Sequence, residues 1–174
     1  MGETPATSAR AFQHRAVAIH DPLLHTAVLV LADGTVIRGH GLGAAATAVG
    51  EVCFNTGMTG YQESLSDPSY AGQILTFTFP HVGNVGANVE DLETKTPSVR
   101  GVVLRAAVTE PSNFRATSGL ADWLTRHGIP GISGVDTRRL TRAIRIGGAQ
   151  SSALVHDPAG DPDIAAALEL ARTW

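Results

Sequence analysis

One cysteine, Cys53, in 174 residues excludes an internal disulfide and suits a reducing compartment. No apolar run approaches the roughly 20 residues that cross a bilayer. The N-terminus lacks an apolar signal core, so cytoplasm is the expected location. Charge is sparse, at 17% of residues with a net of −3, and supplies no basic field for nucleic acid. The glycines at 83 and 86 are not followed by the Gly-Lys-Ser/Thr that cradles a nucleotide phosphate, and no strand leads into Gly-x-Gly-x-x-Gly. The chain alone is therefore not expected to bind ATP. The seven histidines, at 14, 20, 25, 40, 81, 127 and 156, do not pair at zinc-site spacing, so no metal site is expected. Internal repeats and low-complexity blocks are absent as well.

What is present reads as one globular domain. Hydrophobic residues make up 43%, and the length allows a sizeable core without room for two typical domains. Residues 1–25 mix small and polar side chains without a helical or strand period. They read as a mobile or loosely docked tail, with a targeting role as the alternative. The domain proper is expected over residues 26–174.

Seven strands and three helices are predicted. Strands over residues 27–31 and 35–38 flank Asp33-Gly34, the strongest hairpin signal in the chain. Further strands are expected over 51–55, 73–79, 101–108, 129–132 and 152–156. A helix capped by Thr117 or Ser118 carries Leu120, Trp123 and Leu124 inward and stops at Gly128. A second starts at Asp136, buries Leu140 and Ile144, and ends at Gly147-Gly148. A third opens at Asp161-Pro162 with Ile164, Leu168 and Ala171 on one face. Strands first and helices later predict an α/β domain with mixed sheets covered by helices on one side.

The segment GEVCFNTGMTGYQESLSDPSYAGQ, from Gly50 to Gln73, holds the most chemistry. A strand runs into a polar turn punctuated by Gly57 and Gly60 and closes on Asp67-Pro68-Ser69-Tyr70, an arrangement suited to presenting side chains to a ligand. Cys53 sits between Val52 and Phe54 in that strand. It has no Gly-flanked elbow and no group to lower its pKa, and reads as a packed side chain. Ser69 reads from its residues as a turn hydroxyl. Tyr61, with Gln62 and Glu63, is a candidate contact or else a capped turn with a half-buried ring. His81 follows a strand and precedes a Gly-containing loop, where it orients a partner or simply bonds within the loop. Arg138, Arg139, Arg142 and Arg145 share one helix as a solvated face or a grip on an acidic surface or phosphate.

Several ordered motifs lie in one register: LVLADGTVIRGHGLGA from Leu29, FNTGMTGYQESLSDPSYAGQILTFTFPHVGNVGAN from Phe54, EPSNFRA from Glu110 and HGIPGISGVDTRRLTRAIRIGGAQ from His127. Together they closely resemble the N-terminal domain of the small, glutamine amidotransferase, subunit of carbamoyl-phosphate synthase, over roughly residues 26–172. Gly57 stands where relatives often have Ser, and Ser66 where they often have Thr.

The resemblance implies a layered β/β/α swivelling-type domain. It also implies a second, glutaminase half with a Cys nucleophile and a His–Glu pair. That half is not found up to Trp174, so no catalytic residue is expected in this chain and it is expected to be inactive alone. The glutaminase domain would continue in the same chain or be supplied as a separate one. In the family, ammonia from L-glutamine passes to a large subunit that uses ATP and Mg to make carbamoyl phosphate for arginine and pyrimidine synthesis. The large subunit is thus the expected partner, and Ser69 the residue expected to reach the glutamine pocket. Two other readings stay open: a non-catalytic regulator that docks to the large subunit, and an independent ligand-binding module.

Overall fold

The computed structural model describes residues 24–174, so the expected N-terminal tail lies almost wholly outside the described residues. Among the described residues seven strands are found: β1 (Ala27–Leu31), β2 (Val36–Gly43), β3 (Thr47–Asn55), β4 (Gln73–Phe77), β5 (Gly101–Val103), β6 (Pro130–Ser133) and β7 (Gln150–His156). Four helices join them: α1 (Tyr61–Ser66), α2 (Leu120–Arg126), α3 (Thr137–Gly147) and α4 (Ile164–Thr173). A single 3-10 turn, Pro68–Tyr70, follows α1.

The Asp33-Gly34 hairpin forms as its residues dictate. Gly34 takes a φ of 92°, Gly34 N–H donates to Leu31 O, and Asp33 Oδ1 accepts from Thr35 N at 2.8 Å. β1 then pairs with β2 on one side and β7 on the other, both antiparallel. The chain from β3 through α1 to β4 is a crossover between parallel neighbours, and β4–β5 and β5–β6 are parallel too.

Where layered sheets with helices on one side were expected, a single sheet closes on itself in the order β1-β2-β6-β5-β4-β3-β7. Alternation along each strand sends Leu29, Val52, Ile74, Val103, Ile132 and Leu154 to one fully buried cluster inside the barrel. Leu140 and Ile144 of α3 join that cluster, so α3 covers the end where the parallel strands finish. Two glycines let the walls approach. A Cβ on Gly101 would lie 2.8 Å from Leu154 Cδ2, and one on Gly41 would overlap the His156 ring.

Outward-facing residues build two further layers on different walls. Val28, Val30 and Ala153 pack against Ala167 and Ala171 of α4. Leu75, Phe77, Val102 and Leu104 pack against Leu65 of α1 and Leu120, Trp123 and Leu124 of α2. The helices therefore surround the barrel rather than lying to one side of it.

Local differences have identifiable causes. α2 is capped by Gly119, because Thr117 Oγ1 donates to Ala87 O and Ser118 Oγ accepts from Arg126 instead. α4 starts at Ile164, two residues beyond Pro162, because the cap is Asp163, whose Oδ1 accepts from Ala166 N at 2.9 Å. β5 is shorter than expected because its neighbour β6 is short; Leu104 N–H still donates to Ile132 O before the chain leaves the sheet.

Candidate functional site

The Gly50–Gln73 segment is built as a strand, a loop, a helix and a tight turn. β3 ends at Asn55, whose side chain organises the chain beyond the strand. Its Oδ1 accepts from Gly57 N at 2.6 Å, and its Nδ2 donates to Ser64 Oγ at 3.1 Å and to Tyr70 Oη at 3.0 Å. One amide thus ties the loop, α1 and the 3-10 turn together. Gly60 starts α1 from the left-handed region, with a φ of 75°, which a side chain there would strain.

Tyr61 and Gln62 are structural. Tyr61 is only 8% exposed and its hydroxyl donates to Gly86 O. Gln62 holds Asn88 through both backbone groups, donating to Asn88 O and accepting from Asn88 N at 3.0 Å. Ser66, fully buried, adds a third fastening: its hydroxyl accepts from Glu93 N at 2.9 Å, and Thr94 Oγ1 donates to its carbonyl. Helix α1 is the post to which the long loop between β4 and β5 is tied. Burial removes Tyr61 from the candidate surface contacts.

Cys53 points to the outer face of β3, where it packs with the α1–α2 cluster, and its thiol lies 3.1 Å from Gln73 Oε1. Burial, reinforced by the Glu51 carboxylate, pushes the thiol up to about 12. A thiol so held is a poor nucleophile at neutral pH. His81 is exposed and meets the Phe79 ring edge-on at 6.4 Å. No cluster of three or more metal-ligating side chains occurs among the described residues.

Ser69 is exposed at the start of the 3-10 turn, behind Pro68. Its N–H donates to Asp67 Oδ1 at 2.8 Å, and backbone then side-chain hydrogen bonds from Ser69 hold the Asp67 carboxyl below its ordinary value. The hydroxyl is presented from a turn fixed by a proline and a cap. Just past it, Ala71 and Gly72 line a hollow of about 710 Å³ together with Arg100, His127 and Trp174. Trp174 lies against Gly72, so the last residue of the chain is a close neighbour of the turn.

The arginines divide. Arg138, Arg142 and Arg145 line one cleft of about 650 Å³ with Arg105, Thr78, Thr141 and Ile146. Arg139 faces another hollow, near Asp33 and Asp136. The four helix arginines stand together in the sequence, whereas Arg105 lies far upstream of them. Only the fold brings Arg105, two residues past the end of β5, beside α3.

Comparison with known proteins gives the chain a family. The family model "Carbamoyl-phosphate synthase small chain, CPSase domain" matches residues 29–154. The carbamoyl phosphate synthase small chain of Bradyrhizobium diazoefficiens is 59% identical over 153 residues, covering 86% of this chain and 39% of that protein. Those of Rhizobium meliloti and Brucella ovis are each 56% identical, covering 86% of this chain and 38% of theirs. The chain thus spans less than two fifths of the length of these relatives. With most of its length matched in one register, the chain belongs to the carbamoyl-phosphate synthase small-chain family, through the CPSase domain.

Proposed function

We propose that this chain is the N-terminal domain of the small subunit of a glutamine-hydrolysing carbamoyl-phosphate synthase, working in the cytoplasm. It holds the glutaminase domain in place and docks to the large subunit. Ammonia released from glutamine is thereby delivered to the subunit that uses ATP and Mg to make carbamoyl phosphate for arginine and pyrimidine synthesis. The chemistry belongs to those other parts; this domain alone does not hydrolyse glutamine.

The observation that carries the reading is the placement of Ser69. It stands exposed on a capped, proline-containing turn, and Gly72, three residues further on, lines one hollow with Trp174. A glutaminase domain joined after Trp174 starts beside that turn. The Ser69 hydroxyl both donates and accepts, so it suits the charged amino and carboxylate ends of glutamine. Asp67 restrains the turn, which lowers the entropy lost when a substrate is held there.

The test is Ser69→Ala in the complete synthase. Glutamine-dependent synthesis is expected to show a KM raised about tenfold, the scale of one lost hydrogen bond to a charged group. Ammonia-dependent synthesis should stay unchanged. An unaltered glutamine KM removes Ser69 from the site, and equal loss with both nitrogen sources assigns the effect to misfolding.

A further inference from the structure

The cleft at the other end of the parallel strands has no role in the reading above. Ser69 precedes β4 and Thr78 follows it, so the two sites are separated by the five residues of that strand, about 17 Å at the usual rise. Arg138, Arg142 and Arg145 recur at i, i+4 and i+7 along α3 and share one face, and Arg105 reaches the same space from the end of β5. All four are exposed. Among the described residues the ion pairs belong to Arg115, with Glu90 and Asp91, and none to these four. In a chain of net charge −3, four guanidinium groups without a carboxylate partner are a strong local concentration of positive charge. Thr141 adds a shielded hydroxyl with no hydrogen-bond partner among the described residues.

The kind of anion follows from what surrounds the charge. At the N-terminus of α3 the Arg139 N–H is already engaged by Asp136 Oδ1 at 3.0 Å, and the Thr137 N–H by Val135 O at 2.8 Å. The cleft runs on past the middle of the helix to Arg145 and Ile146 in its last turn, where the backbone presents carbonyl oxygens. A small phosphate there meets side-chain donors only and opposes the negative end of the helix. Ile146, 78% exposed at the rim, gives an apolar edge instead. Arginine beside exposed aliphatic surface, in a broad open cleft, is the composition of a protein interface.

We propose that this cleft docks an acidic protein segment, with at least two carboxylates seated on Arg105, Arg138, Arg142 and Arg145 and an apolar residue against Ile146. Resting on the docking reading above, that segment belongs to the large subunit. Thus the domain faces the glutaminase with one end and its large partner with the other.

The test measures association of the large subunit with the native polypeptide that carries this chain, by surface-immobilised binding at low and at physiological salt. Arg142→Glu and Arg145→Glu are each expected to weaken association at least about tenfold and to flatten its salt dependence. Arg139→Glu, on the same helix but outside the cleft, should leave both unchanged, and Arg142→Lys should fall between. Thermal midpoints within a few degrees of the parent confirm that the variants fold. Full association in both reversals, or equal loss in Arg139→Glu, overturns the inference and leaves the docking reading standing. No association by the parent polypeptide overturns the docking reading and this inference with it. Inorganic pyrophosphate that binds the parent but not Arg142→Glu, with subunit association intact in that variant, makes the cleft a small-oxyanion site and overturns the protein-docking assignment.

Discussion

Thr76 carries a hydroxyl on an inward strand position, fully buried and without a hydrogen-bond partner among the described residues. Such a group keeps its desolvation cost without return. Thr76→Val preserves the shape and removes the hydroxyl, so it should stabilise the domain by about 1 kcal/mol, read as a higher urea midpoint at unchanged slope. A lower midpoint would mean that the hydroxyl has a partner in solution. This site was invisible in the sequence, where Thr76 is one more β-branched strand residue. Cys53 was legible, because a thiol in mid-strand without an activating neighbour has few roles other than packing. Ser69 lay between these cases: its residues gave only a turn hydroxyl, and the family resemblance alone gave it a substrate.

The two longer helices with acidic caps follow their sequence closely. In α3 and α4 the side chains of Asp136 and Asp163 accept from backbone N–H groups three residues on, and the apolar stripes predicted for each are the faces that pack. Asp136→Ala and Asp163→Ala should each cost about 1 kcal/mol of stability, measured by denaturant unfolding, with the corresponding Asn variants losing less. Equal losses in the Ala and Asn variants would show that charge, rather than the capping hydrogen bond, is what the helix uses. Helix α1 escaped the sequence reading because it is short and polar and begins at a glycine, all signals of a turn. What makes it a helix is distant in sequence: Tyr61, Gln62 and Ser66 are satisfied by residues 86–94. Local propensity cannot report such contacts.

For the molecule as a whole, two acidic groups with raised pKa values set an alkaline limit. Burial lifts Cys53 from 9.0 to about 12 and Tyr61 from 10.0 to about 12. Folding favours their neutral forms, so their contribution is complete below the ordinary values and disappears as pH rises through about 12. The thermal midpoint should therefore fall steadily between pH 9 and 12, and less steeply in Tyr61→Phe. In Tyr70→Phe, tyrosinate absorbance should emerge only near pH 12; emergence near 10 would show Tyr61 to be accessible. The seven strands were nearly all legible from alternation and turns, but the closure was not. A period of two says which side of a strand is buried, never which distant strand it meets.

That closure has a consequence during synthesis. β1, the wholly apolar run AVLVL, finds its second neighbour only in β7, at residues 150–156. At ribosomal rates of about 5–20 residues per second, this strand waits on the order of ten seconds for the residues that complete the ring. Until then it is an apolar strand with one open edge, with only the β2 arm of its hairpin beside it. A segment that ends fully sheltered is thus one that a growing polypeptide must shield for seconds, and a place for a holdase chaperone to bind.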